Sequence, residues 1–217
     1  NGKLLIALEN KYGIKYWCGT PEDHSGIPFD GINNYKFSNI AKTFSKSELN
    51  KLIINSGFNY SYFYYPLPDY KMPQVIYSEN YLPRNGSIDN WIPYNSFNSN
   101  SMVSDEELLY HDIVNNVVEF FANSFLVECS IYNEKMGEVD YAVSSPFRKA
   151  EFDCMTIHSG DKGFYKMTTY SNQNFLSNIK ANHTELSNRG LSVCNTKIVD
   201  NILYTQTIKG TPLTDIL

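Results

Sequence analysis

The chain opens on an apolar run, Lys3-Leu-Leu-Ile-Ala-Leu8, with no polar alternation. Such a run suits a strand buried on both faces of a parallel sheet, with a neighbour on either side. A long segment follows, from Glu9 to about Lys42, rich in Gly, Pro, Asp and Asn. Loops of that length are usually functional or disordered. The Trp17, Phe29 and Tyr residues in this one predict an ordered, packed loop. At Ser45 the pattern turns helical. Ser45-x-x-Glu48 is a capping box, with Phe44 and Leu49 placed as a hydrophobic staple. Leu49, Leu52 and Ile53 form the apolar stripe, and Gly57 stands where a left-handed residue closes a helix. Residues 58–65 alternate as an aromatic strand, which Pro66-Leu-Pro68 is expected to end.

Residues 84–103 are polar and predict an exposed excursion. Ser104-x-x-Glu107, with Val103 and Leu108, is a second capping box opening a helix to about Asn116. From Val117 to Ile131 the chain predicts a strand, with Phe121, Phe125 and Val127 on one face. The pattern breaks at Asn133-Glu-Lys-Met-Gly137. Beyond it, strands are expected at 141–145, 152–157 and 163–169, the last two joined by the turn Ser159-Gly-Asp-Lys162. A helix over 173–187 presents Phe175, Leu176, Ile179 and Leu186 on one side and is followed by Gly190. Strands at 192–198 and 202–208 complete the segment, and there is no internal repeat. The chain finishes on a helix start, with Thr211 as N-cap and Pro212 at the first helical position. An unpartnered first strand and a helix one turn long predict a piece of a longer polypeptide.

Composition narrows the functional classes. Hydrophobic residues at 42% and charged residues at 19% of 217 are those of a folded globular chain. A net charge of −5 lacks the clustered cations of a nucleic-acid surface. No run approaches the roughly 18 apolar residues of a membrane span, and the expected location is the cytoplasm. Cys18, Cys129, Cys154 and Cys194 are widely spaced without a C-x-x-C pair, so reduced thiols are expected and a metal site is not.

Two stretches resemble known families. Leu5-Ile-Ala-Leu-Glu-Asn10, Gly13-Ile-Lys-Tyr16, Glu22-Asp-His24 and Phe29-Asp-Gly31 are similar to a region of bacterial class I S-adenosylmethionine-dependent methyltransferases. The likeness continues through Thr43-Phe-Ser-Lys46, Tyr64-Tyr-Pro-Leu-Pro-Asp-Tyr70 and Phe121-Ala-Asn-Ser-Phe-Leu126 and covers residues 1–132. It implies an α/β fold, the C-terminal half of a Rossmann-like sheet. Residues 3–8 would be strand five, 59–65 strand six and 121–129 the antiparallel strand seven. The Gly-rich turn that holds S-adenosylmethionine lies upstream in that family, and Gly31 and Gly57 cannot substitute for it. The resemblance therefore places the cofactor with the remainder of the polypeptide, this segment alone being inactive. The acceptor it implies is a small molecule or glycan, by family context a carbohydrate or cell-surface polymer.

Residues 138–217 resemble the small α+β N-terminal lobe of kinase-like phosphotransferases such as aminoglycoside phosphotransferases. The cue is three strands, a helix and two strands before Ile208-Lys-Gly-Thr-Pro-Leu213. This likeness makes Lys166 the phosphate-contacting lysine, with ATP and magnesium as cofactors. Ser144-Ser-Pro-Phe-Arg148 replaces the Gly-rich loop, and only Glu185 is offered as the lysine's partner. Phosphoryl transfer and a non-catalytic binding module are thus the alternatives to methyl transfer.

Within these readings the candidate residues fall in three groups. Glu9 and Asn10 end the first strand, where open α/β sheets bind ligands, or else they anchor the following loop. In Glu22-Asp23-His24, His24 is the natural base for an acceptor hydroxyl, with Glu22 and Asp23 as substrate contacts. The alternative is a loop histidine bonded to those carboxylates. Asp69 and Tyr70 sit beside prolines in a loop that could overhang the acceptor or simply shape the chain. His111 is expected on a helix, at the surface or in packing, and His158 and His183 have no partner at metal-ligand spacing.

Overall fold

The computed structural model describes residues 2–36, 38, 41–83, 117–145, 148–160, 162–168, 172–208 and 210. The chain is mixed α and β and divides into two compact units, Asn1–Gly137 and Glu138–Leu217. The helix starts expected at Ser104 and Thr211, the polar excursion of 84–103 and His111 lie outside the described residues.

In the first unit, β1 (Leu4–Glu9), β2 (Tyr60–Leu67), β3 (Val75–Ser78) and β4 (Ser124–Ser130) are joined in the order β1-β4-β2-β3. Each of these pairings is antiparallel. Because β4 is antiparallel to both β1 and β2, those two strands run parallel to each other with β4 between them. The direct partner of β1 is antiparallel, where a neighbour in a parallel sheet was expected. Strand β1 pairs with β4 on one side and stands last in the order, and Leu4 and Leu5 are exposed. The register opposes Ile6 and Phe63 to Val127, and Leu8 to Phe125, setting these residues on one face. The Phe125 ring there meets Phe63 at 5.7 Å and Tyr65 at 6.2 Å, edge to face.

Helix α1 (Ile14–Trp17) is one turn inside the long loop. Helix α2 (Lys46–Asn55) starts on the predicted capping box. The Glu48 N–H donates to Ser45 Oγ, and Glu48 Oε2 accepts from the Ser45 N–H at 2.9 Å. The helix buries Leu49 and Ile53, but Leu52, expected in the same stripe, is exposed. Gly57, at φ +94°, closes it. Two further expectations are corrected. Pro66 does not end β2, which runs to Leu67 and pairs with β3, a strand the sequence reading missed. Phe121 belongs to helix α3 (Val118–Phe121), so the expected strand begins only at Ser124.

The second unit holds β5 (Tyr141–Ser144), β6 (Met155–Ser159), β7 (Gly163–Met167), α4 (Gln173–Asn188), β8 (Thr196–Val199) and β9 (Ile202–Thr205). Its strands lie β5-β6-β7-β9-β8, with every pairing antiparallel. Phe152, expected to open a strand, belongs instead to the 3-10 turn Ala150–Phe152, and the strand begins at Met155. Leu176 of α4 and Leu203 of β9 are fully buried, whereas Leu186 is exposed. All four cysteines are free and three are buried. Among the described residues no helix is long and apolar enough to cross a membrane.

Candidate functional site

The parallel run of β1 and β2 puts Glu9, Leu67 and the start of β4 at one end of the sheet. Beyond that end three chain segments converge. Asn10, buried directly after β1, donates from Nδ2 to the carbonyls of Phe120 at 2.7 Å and Ala122 at 2.8 Å. Its Oδ1 accepts from the Tyr12 N–H at 3.0 Å, so the side chain ties the loop to the α3–β4 junction. Gly13 makes this approach possible, since a Cβ there would lie 2.9 Å from Asn123 Cα. Asn123 Oδ1 accepts from the Lys15 N–H at 3.0 Å, and its Nδ2 donates to the Pro68 carbonyl at 3.1 Å.

Helix α1 thereby sends Lys15 inward. Its side chain is 0% exposed, with Nζ 2.9 Å from Asp23 Oδ2 and 3.8 Å from Asp69 Oδ2. Tyr16 donates its hydroxyl to the same Asp23 oxygen at 2.6 Å. After β2, Asp69 Oδ1 accepts from the Lys71 N–H at 2.7 Å, and the Tyr70 N–H donates to Ser124 Oγ at 2.9 Å. The Lys71 ammonium reaches back to Glu9 Oε1 at 2.5 Å and lies 5.3 Å from the Tyr70 ring centroid. The result is a network of three carboxylates and two ammoniums. Lys15 and Asp69 are its buried part, while the Lys71 side chain is 49% exposed.

Burial penalises the Asp23 carboxylate, but the Lys15 charge and the Tyr16 and Lys15 hydrogen bonds outweigh it, leaving its pKa below the ordinary 3.8. The Tyr16 hydroxyl is pushed well above its ordinary 10.0, first by burial and then by Asp23. Burial works against the Lys71 ammonium, yet Glu9, Asp23 and Asp69 together raise its pKa. Burial and the neighbouring Glu9 also raise Tyr70. At neutral pH the cluster therefore holds an ionised Asp23, a charged Lys71 and neutral tyrosines.

The signs fix a pH profile. A depressed Asp23 stabilises the fold above about pH 3.8, and that contribution is lost as pH falls through its lower folded value. A raised Tyr16 stabilises the fold below its ordinary 10.0, and that contribution fades as pH climbs toward the folded value. Asp23→Asn is expected to weaken the protein at neutral pH and flatten the acid limb. Urea midpoints between pH 3 and pH 7 check it; an unchanged acid limb contradicts the assignment.

Of the residues expected to act together, Glu9, Asp23, Asp69 and Tyr70 meet here through the lysines. Glu22 does not join them. Its Oε2 accepts from the backbone N–H groups of His24 and Ser25 at 2.8 Å, and its Oε1 accepts from the Tyr35 hydroxyl at 3.1 Å. It is a buried loop cap. His24 is exposed, and its imidazole makes no hydrogen bond among the described residues. The alternative of a loop histidine bonded through its ring to the adjacent carboxylates is therefore not what the structure has. Lys15, Tyr16, Lys71 and Asn123 were not anticipated. The one available signal was the lysine and tyrosine of Gly13-Ile-Lys-Tyr16, set between apolar and glycine positions of the long loop.

No Gly-rich turn fit to cradle a nucleoside cofactor occurs among the described residues. Gly57 closes a helix with open space around it, and Gly31 packs on Tyr35 and Glu22. Nor do three His, Cys, Asp or Glu side chains converge as a metal site among them. In the second unit Lys166 of β7 donates to Thr156 Oγ1 at 2.7 Å. Glu185, its only expected acidic partner, is exposed and bound to Arg189 Nη2 at 2.7 Å. His158 pairs with Asp140 at 3.1 Å, and His183 Nδ1 lies 3.2 Å from the Cys194 carbonyl. No family model, no curated protein and no solved structure matches this chain.

Proposed function

We propose that residues 1–137 are the acceptor side of a class I S-adenosylmethionine-dependent methyltransferase. The reading is carried by β4, antiparallel between parallel β1 and β2, with the Glu9–Lys71 and Lys15–Asp23–Asp69 pairs beyond their carboxyl ends. Ligands of open α/β sheets bind beyond those ends. The Gly-rich turn that grips the cofactor in that family is not among these 217 residues. Cofactor binding is accordingly assigned to other residues of the polypeptide.

Within this reading the chain orients an acceptor bearing a hydroxyl or amine, of small-molecule or glycan type. Lys71 and Tyr70 offer hydrogen-bond donors at the solvent side, and Glu9 and Asp23 offer ionised acceptors. These carboxylates replace His24 as the groups that hold the acceptor's hydrogen. The protein's part is positioning and charge, in a cluster whose members are already fixed by one another.

A second reading, phosphoryl transfer with ATP and magnesium, is favoured by the element order of the second unit and by Lys166 on its third strand. The Lys166–Thr156 bond and the Glu185–Arg189 pair weigh against it, because a phosphate-holding lysine is normally oriented by a carboxylate. Calorimetry of the full-length polypeptide separates the two. Heat with S-adenosylhomocysteine and none with ATP is expected. Heat with ATP alone favours the second reading, and heat with neither overturns both.

A further inference from the structure

The second unit carries an open cleft of about 550 Å³ beside β8 and β9 that does not include Lys166. Its wall combines three kinds of side chain. Lys162 and Lys197 are both exposed, and neither ammonium pairs with a carboxylate among the described residues. Lys197 Nζ instead rests 5.6 Å from the centroid of the Tyr204 ring, which is backed by Tyr165 at 5.7 Å. Asn195 and Gln206 are locked together, Nδ2 to Oε1 at 3.0 Å and Gln206 N–H to the Asn195 carbonyl at 2.9 Å. Thr207 packs so tightly on Gly163, at φ +67°, that a Cβ there would lie 2.5 Å from its hydroxyl oxygen.

No carboxylate occurs among the described residues lining this cleft, although the whole chain carries a net charge of −5. Two ammoniums with no carboxylate partner among the described residues make a local positive field that suits an anion. A phosphate alone would not use the rest of the wall. A tyrosine ring beside amides and hydroxyls offers an apolar plane ringed by hydrogen-bond groups, which matches a sugar ring. We infer that this cleft binds an anionic saccharide, a sugar bearing a phosphate or carboxylate, with Lys162 and Lys197 on the anion and Tyr204 against the ring.

The test uses the full 217-residue chain, followed by amide NMR during titration with glucose 6-phosphate. Saturable shifts are expected at Lys162, Asn195, Lys197 and Gln206, with glucose and inorganic phosphate each binding more weakly. Lys162→Gln and Lys197→Gln each remove one charge-assisted contact and are expected to weaken binding about tenfold. Both side chains are exposed, so the variants keep the wild-type spectrum. Absence of saturable shifts overturns the inference, as does affinity unchanged in both variants. Inorganic phosphate binding as tightly as the sugar phosphate overturns the saccharide assignment. Loss of binding in Lys166→Gln, with the two lysine variants unaffected, overturns the location.

Discussion

Replacing Lys15 with Met is expected to cost the first unit about 3–5 kcal/mol, because it removes the cation from a buried ion pair and leaves the carboxylate behind. The methionine matches the stem in length, so the loss is of charge and not of packing. Asp69 is buried, and its Oδ2 has no hydrogen-bond partner among the described residues. The Lys15 ammonium, at 3.8 Å, is the countercharge that makes its burial tolerable. Asp23, at 2.9 Å, loses its main stabilising neighbour at the same time. Urea unfolding followed by the fluorescence of Trp17, two residues away, measures the change. Adding Asp69→Asn to Lys15→Met is expected to recover part of it, since the orphaned charge is then gone. A loss below about 1 kcal/mol would mean that the ammonium behaves as a solvated one.

That result bears on what the sequence could reveal. Ser45-x-x-Glu48 and Gly57 were legible because a capping box and a left-handed terminator are local devices, complete within a few residues. The two compact units divide after Gly137. Strand β3 was not legible, because Val75–Ser78 is short and becomes a strand only by pairing with Tyr64–Leu67. Phe121 was misplaced because a run of apolar residues has no period to separate a helical turn from a strand.

The site shows the same division. Glu9 drew notice at a strand end, Asp23 in the polar stretch of the long loop and Asp69 in a loop between prolines, but their partners could not be read. Lys15 is eight residues from Asp23 and Lys71 is 62 from Glu9, so only the fold brings them together. His24 drew notice as a base and Glu22 as a substrate contact because Glu22-Asp23-His24 is the most polar stretch of the long loop. In the fold Glu22 spends both oxygens on its own loop, and His24 is turned to solvent. Adjacency in a loop says little about direction.

Asn10→Leu is the second large effect and separates an anchor from a ligand contact. The substitution keeps the side chain's size but strands three groups, the carbonyls of Phe120 and Ala122 and the N–H of Tyr12. At about 1–3 kcal/mol for each of the three stranded groups, the total is about 3–9 kcal/mol. Asn10→Asp is expected to be destabilising as well. It can still accept from Tyr12, but it sets a carboxylate oxygen against two carbonyl oxygens. Hydrogen exchange at the Tyr12 amide should rise in the Leu variant, because that proton loses its only side-chain acceptor. If Asn10 served mainly as a ligand contact, both variants would unfold at the wild-type urea concentration. On the proposed reading the position matters through its neighbour: Asn10 holds the end of β1, which carries Glu9 to Lys71, against the α3–β4 junction. Loosening that joint is expected to free the Lys71 ammonium from Glu9, lowering its raised pKa toward the ordinary 10.5. A Lys71 titration followed by NMR in the milder Asp variant tests that coupling, and an unchanged titration would confine the role of Asn10 to stability.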